Sequence, residues 1–290
     1  MVTITARATL PTGAVLTASK AVTVTAPQST MLAGFDVSPL PGETVAQAFT
    51  RVGKLVQGAQ YVRAYDQPGK QFTQTPWGSG ALAAMPAGAT AHISTKDTPD
   101  PAATNAELAA ATKPWFWTIH HEPEGDLTVA QFKADQAAAD KLIAAHPNGH
   151  LCTRVEVYTG YAQIHGNKPG YSIAAMYSGA LIIGFDMYRD STISGNTSYP
   201  DPAAFFAPLV NAARTLKASD GKPPRIMVPE FGGTLVPGDT GAKRATWIVA
   251  CFAYLRSIGC VAVGWWFTGG EDLTNDPAGL AALQKAIAGK

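Results

Sequence analysis

Apolar positions along this chain follow two alternating periods. Short, nearly continuous apolar runs, as in buried strands, cover Leu32–Val37, Gln60–Tyr65, Ala91–Thr95, Trp115–His121, Leu151–Tyr158, Leu181–Tyr188, Arg225–Glu230 and Val261–Phe267. Most of the intervals between them carry helical spacing and helix punctuation. Val45, Phe49, Val52 and Val56 recur at the helical period. Asp-Pro pairs at 100–101, 201–202 and 276–277 predict helix starts, because Asp caps free N–H groups and Pro loses nothing at the first position. Thr128 with Gln131 has the spacing of a capping box, and the apolar segment Trp247–Ile258 should end at Gly259.

Eight strands alternating with helices predict an α/β fold, a (β/α)8 TIM barrel, over residues 31–290. A doubly wound open sheet is the rival, since alternation alone does not establish closure. The second unit is the weakest, because Pro68–Ala89 is rich in Gly and Pro with only a short helical patch. Residues 1–30 read differently. Alternation in Val2–Thr5 and Val22–Thr25 around Pro11-Thr12-Gly13 predicts a β-hairpin appendage and linker.

Composition narrows the function classes. With 46% apolar and 15% charged residues the chain is globular, and a net charge of +1 supplies no basic field for nucleic acid. No apolar run approaches the ~18 residues of a membrane span. The N-terminus lacks the basic-then-apolar order of a signal peptide. The three cysteines, Cys152, Cys251 and Cys260, lie in apolar stretches without a CxxC pair and read as buried small hydrophobes.

Candidate chemistry collects where the predicted strands end. Ile119-His120-His121-Glu122-Pro123-Glu124 and Ile226-Met227-Val228-Pro229-Glu230-Phe231 are apolar runs that stop in a carboxylate beside a turn former. Asp36 closes the first run, Arg63 and His92 lie in the second and third, Asp186 and Tyr188 end the sixth, and Trp265-Trp266 ends the eighth. A barrel gathers such termini into one ring at its C-terminal face. Two carboxylates facing across a sugar-sized gap would suit glycosidic-bond cleavage, one as proton donor and one as nucleophile or base. Arg63 is the natural cation to orient a carboxylate, and Tyr188 a further donor. Glu124 competes with Glu122 for the acid role, or caps a helix or binds sugar. His120 and His121 should face opposite ways, with His121 toward the pocket. Trp266, Tyr158, Tyr161, Tyr171 and Tyr199 are candidate sugar platforms. The loops 159–170 and 189–200 should shape the cleft.

The pieces His121-Glu122, Gly184-Phe185-Asp186-Met187-Tyr188 and Pro229-Glu230-Phe231-Gly232 resemble the clan A retaining glycoside hydrolases, and within them glycoside hydrolase family 26. The resemblance covers about residues 31–288. It implies Glu122 as acid/base and Glu230 as nucleophile, with Trp266 beneath the cleaved sugar. It also implies endo-type action on a β-linked polysaccharide such as β-mannan. Pro123-Glu124-Gly125-Asp126 departs from the expected mannanase loop. Arg63, His121, Asp186, Tyr188, Trp266, Asp36, His92 and Glu124 are then the expected substrate-binding set, with no cofactor and no metal.

Two other classes stay open: a non-catalytic carbohydrate-binding or adhesion barrel, and a metal-dependent hydrolase drawing on His92, His120, His121 and His165. The spacing His-Glu-x-x-His is absent because position 125 is Gly. The expected partner is an oligo- or polysaccharide, with neither nucleic acid nor membrane. The Ala/Gly/Thr-rich composition suits a module of a larger extracellular or virion-associated protein.

Overall fold

A computed structural model describes residues 31–66, 75–166, 168–189 and 197–289, together with the backbone of 2–9 and 15–22. The chain divides into two compact units, 1–30 and 31–290. In the first, β1 (Val2–Thr9) and β2 (Val15–Val22) pair antiparallel, Val2 opposite Val22 and Thr9 opposite Val15. The return strand therefore starts seven residues earlier than the expected Val22–Thr25, of which residues 23–25 lie outside the described residues. Val15-Leu16-Thr17-Ala18 also carries strand-forming residues, which the stronger alternation downstream obscured.

The second unit is a closed parallel barrel of eight strands: β3 (Leu32–Asp36), β4 (Tyr61–Asp66), β5 (Thr90–Thr95), β6 (Trp115–Ile119), β7 (Cys152–Thr159), β8 (Ile182–Arg189), β9 (Arg225–Gly233) and β10 (Ala262–Trp266). Each pairs with the next in sequence, and β10 closes on β3 with Ala262 opposite Leu32 and Trp266 opposite Asp36. This settles the rivalry with an open sheet.

Helices α1 (Val45–Leu55), α2 (Pro101–Ala110), α3 (Val129–Ala145), α4 (Gly160–His165), α5 (Ile173–Met176), α6 (Pro202–Arg214), α7 (Ala242–Ser257) and α8 (Pro277–Ile287) fill the connections. Between β4 and β5 the described residues hold only a 3-10 turn, Ala81–Ala84, where Gly and Pro disfavour a longer helix. The three Asp-Pro starts cap as expected: Asp100, Asp201 and Asp276 each accept backbone N–H bonds. Thr128 accepts from Gln131, and the full reciprocal capping box lies at Thr44 and Gln47 on α1. The helix turn after α7 is left-handed at Gly259, φ 74°. All three cysteines are free and buried. No helix among the described residues is long and apolar enough to cross a membrane.

Strand alternation sorts the core into two clusters. Outward-facing residues such as Phe35, Val62, Ile93, Trp117, Phe185, Phe231 and Trp265 pack under the helices. A smaller cluster of Tyr61, Phe116, Val155, Val157, Ile182, Met227 and Ala262 fills the barrel's interior. Above that apolar floor the inward positions turn polar, and this gradient positions the site.

β9 breaks the alternation. Against β10, Val263 pairs with Val228 and Trp265 with Phe231; against β8, Gly184 pairs with Met227 and Met187 with Phe231. Both neighbours see one extra residue in β9, a β-bulge at Pro229-Glu230. The bulge sends both of these side chains inward and returns Phe231 to the outer layer, against Trp247, Phe252 and Trp265.

Candidate active site

The polar interior is layered. Lowest lies a chain of neutral groups. The Tyr61 hydroxyl donates to His92 Nδ1 at 2.6 Å, His92 Nε2 donates to Thr118 Oγ1 at 2.8 Å, and Thr118 donates to the Val155 carbonyl at 2.9 Å. Because the Thr118 proton is committed to Val155, it is the Nε2 tautomer of His92 that satisfies every group. Burial and the Arg63 charge push the imidazole pKa well down. Asp36 stands beside this chain at 0% exposure, with neither oxygen hydrogen-bonded. Only a glycine fits opposite: a Cβ on Gly264 would lie 2.3 Å from Asp36 Oδ2 and 2.8 Å from the Tyr61 ring. Burial raises the Asp36 pKa well above the usual carboxylate range, opposed by Arg63 and reinforced by Glu230.

Arg63 holds the middle layer. Its Nε donates to Ser94 Oγ, and its Nη1 to Asp186 Oδ1 and Glu230 Oε1, all at 2.9 Å. Asp186 Oδ1 also accepts the Glu230 backbone N–H at 3.1 Å, a donor that the bulge releases from the ladder. Asp186 Oδ2 has no partner. Burial raises the Asp186 pKa, opposed by the Arg63 charge and reinforced by Glu230.

At the mouth, Tyr65 donates to Glu230 Oε1 and Tyr188 donates to Oε2. Burial holds both phenols well above their ordinary pKa, so they stay protonated. Trp266 meets the edges of Tyr65 and Tyr188, with ring centroids 5.8 and 6.4 Å apart. Opposite, the chain leaves β6 through two non-glycine residues in the left-handed region, His120 (φ 50°) and Glu122 (φ 51°), at a cost of about 1–2 kcal/mol each. The loop stays stitched to both neighbouring strands: His121 N–H donates to Thr95 O at 3.1 Å, and Glu122 N–H to Val157 O at 2.9 Å. His120 turns outward, its ring nitrogens on Lys96 O and Asp135 Oδ2, both at 2.8 Å. His121 stays at the mouth beside Tyr65, and burial lowers its pKa to about 2, so it is a neutral imidazole. Burial, with the charge of Glu230 added, raises the Glu122 pKa.

One carboxylate oxygen from each of Glu122, Asp186 and Glu230 lies within 4.8 Å of the others. Three such oxygens could in principle hold a cation, but the Arg63 guanidinium, 2.9 Å from two of them, opposes one. None of the histidines considered for a metal centre joins the trio among the described residues.

Sequence reasoning and structure diverge at named positions. Asp36, Arg63 and His92 at 0% exposure and Asp186 at 2% lie buried below the open layer, where they support the groups at the mouth. Glu124 is not free either. It accepts from Thr159 N–H (3.0 Å), Thr159 Oγ1 (3.3 Å) and Gln163 Nε2 (2.7 Å) at the start of α4. Tyr158 is buried and bonded to Glu156, and Tyr199 stacks on Trp247, so neither is a platform. Tyr171 packs against the core, whereas Tyr161 is half exposed beside His165. Trp265 is fully buried and Trp266 faces the mouth. Of the two cleft loops, residues 167 and 190–196 lie outside the described residues. Tyr65 and Ser94 were missed. Their signal was parity: Tyr65 is two residues beyond Arg63 on the same face of β4.

No family model and no curated protein matches the chain. Solved structures share its fold. The endoglucanase Cel5A from Thermotoga maritima superposes with a TM-score of 0.59 at 15% identity, over 88% of this chain and 98% of that one. A family 39 glycoside hydrolase from Bacteroides cellulosilyticus WH2 gives 0.57 at 13%, over 95% and 67%. A family 128 endo-β-1,3-glucanase from Sorangium cellulosum gives 0.55 at 16%, over 88% and 96%. At these identities the likeness establishes the barrel alone.

Proposed function

We propose that the chain is a retaining glycoside hydrolase of the clan A type that cleaves a β-linked polysaccharide. The observation that carries this reading is the approach of the Glu122 and Glu230 carboxylates, whose nearest oxygens lie within 4.8 Å across the mouth of the barrel. Retaining enzymes separate their carboxyl groups by about 5–5.5 Å, and inverting ones by roughly 6.5–9.5 Å to admit a water. The environments also differ as the two roles require. Among the described residues no cation is paired with the Glu122 carboxyl, and its pKa is raised, which suits a proton donor. Glu230 is gripped by Arg63, Tyr65 and Tyr188, which suits an ionised nucleophile.

In the first displacement a Glu230 oxygen bonds C1 as the C1–O glycosidic bond breaks, and the Glu122 proton goes to the departing oxygen. In the second, water bonds C1 and gives a proton to Glu122, and the ester electron pair returns to Glu230. Tyr188 and Trp266 line the sugar's path, and neutral His121 offers a hydrogen bond without adding charge. Fold neighbours bear the names of endo- and exo-acting enzymes for β-glycans, and Cel5A structures hold cellobiose and mannotriose; endo action on a β-mannan-like or related glycan accords with that range. A place within a larger extracellular or virion-associated protein accords with that substrate.

The test is a panel of purified β-glycans, mannan included, with Glu122→Ala and Glu230→Ala as controls. Reducing ends should appear with wild type and fall at least about 1,000-fold in Glu230→Ala, and a 2-fluoro glycoside should label Glu230. Binding without hydrolysis by wild type would instead make the barrel a carbohydrate-binding module.

A further inference from the structure

We infer that Tyr65 is a positioning residue that decides which oxygen of Glu230 attacks, holding Oε1 as the spectator and leaving Oε2 for C1. The inference rests on the glycosidase reading above. A carboxylate oxygen has two in-plane acceptor directions. At Oε1 both are occupied, by Arg63 Nη1 and by the Tyr65 hydroxyl, whereas among the described residues Oε2 takes only Tyr188, which leaves one direction open. Arg63 alone would leave either oxygen able to attack, so the asymmetry is Tyr65's contribution.

Its ring is held on three sides. The Arg63 guanidinium lies 4.9 Å from the ring centroid, and the His121 and Trp266 rings meet it at 5.6 and 5.8 Å. The phenol has little freedom to follow the carboxylate, so the carboxylate's rotation about its last bond is fixed instead. Tyr65 also touches both halves of the site, the nucleophile directly and the Glu122 loop through His121.

The consequence falls mainly on the second displacement. Once Oε2 is bonded to C1, Oε1 is the ester carbonyl oxygen and keeps its two donors. When water takes the sugar, negative charge returns to the departing carboxylate, and donors already aimed at Oε1 stabilise that charge without rearrangement. Removing one of them should slow release of the glycosyl group more than its transfer.

Tyr65→Phe keeps the ring and deletes the donor, and two measurements read it. The first needs no turnover. Phenol protons shared with a buried carboxylate resonate far downfield in proton NMR, so Tyr65→Phe should abolish one such signal and Tyr188→Phe a different one. A downfield spectrum unchanged in Tyr65→Phe would overturn the clamp. The second uses an aryl β-glycoside whose good leaving group makes the first step fast. Here kcat should drop about 10- to 100-fold, the loss of a hydrogen bond to a charged group, with KM falling alongside and a burst of phenol matching the enzyme concentration. A uniform fall in kcat/KM without a burst would contradict the assignment of Oε2. Failure of wild type on every glycoside would remove the glycosidase reading, while the NMR arm would still decide whether Tyr65 clamps Oε1.

Discussion

Asp36 shows how far a single side chain can depart from what stability alone would choose. It is fully buried, bears no hydrogen bond from the described residues on either oxygen, and shares its layer with a guanidinium already committed to Asp186 and Glu230. An ionised carboxylate there would surrender its hydration for nothing, a cost of several kcal/mol, so the group keeps its proton. In the unfolded chain it loses that proton near pH 4. Above that pH the folded form binds more protons than the unfolded one, so this residue's contribution to stability falls as pH rises toward its raised pKa. Asp36→Asn removes the dependence. Its melting temperature should exceed wild type by several degrees at about pH 8, with the advantage gone near about pH 4. Melts at both values check this, and an advantage that grows toward acid would contradict it. Glu122, Glu230, Tyr188 and Trp266 were legible as candidates because charged or large aromatic groups at the ends of apolar runs break the pattern of a buried strand. Asp36 and His92 were visible as polar interruptions, but their depth was not, since depth depends on strand stagger. Tyr65 and Ser94 carried only the signal of parity, two residues beyond Arg63 and His92, and Thr118 is an ordinary strand residue.

Among the elements, the loop from β6 and the start of α4 act as one piece. Glu124 joins them through Thr159 and Gln163, and Gln163 continues to Tyr171 O at 2.8 Å and to Ile173 N–H at 2.9 Å, where α5 begins. This strut holds the left-handed turn that presents Glu122. Glu124→Gln turns an amide donor toward the Thr159 and Gln163 donors. It should lower kcat/KM about tenfold for glycosides that need a proton on the leaving group, and little for activated aryl glycosides. Azide should rescue the activated substrate in Glu122→Ala and not in Glu124→Ala. Rescue in the latter would transfer the acid role to Glu124. Helix starts were readable because each rests on a local bond, Asp or Thr to a nearby N–H. The β9 bulge was not, because residues 226–229 are apolar on both faces and parity leaves no trace in such a run. Pro229, which donates nothing to a ladder, was the one local hint.

Across the whole molecule, closure involves only residues of the second unit, from the pairing of Leu32 with Ala262 to that of Asp36 with Trp266. A chain of residues 31–290 should therefore melt as cooperatively as the full chain and retain its activity, since every strand pair that closes the barrel lies inside it. Thermal melts and aryl-glycoside kinetics on the two chains test this, and loss of cooperative melting would show that the barrel needs residues 1–30. Eight alternating units were enough to read the architecture from the sequence, because strand and helix periods differ and each unit repeats the signal. The gradient from apolar floor to polar mouth was hidden, since it depends on which rungs of different strands share a level.

The Tyr61–His92–Thr118 chain lies at the foot of that gradient, with His92 and Thr118 at 0% exposure. Its labile hydrogens have no route to bulk water while the strands stay joined. In heavy water they trade for deuterium only when the wall itself comes apart. The trio is thus a built-in clock for rare excursions of the native state, and a sugar lodged overhead would slow it only by making those excursions rarer.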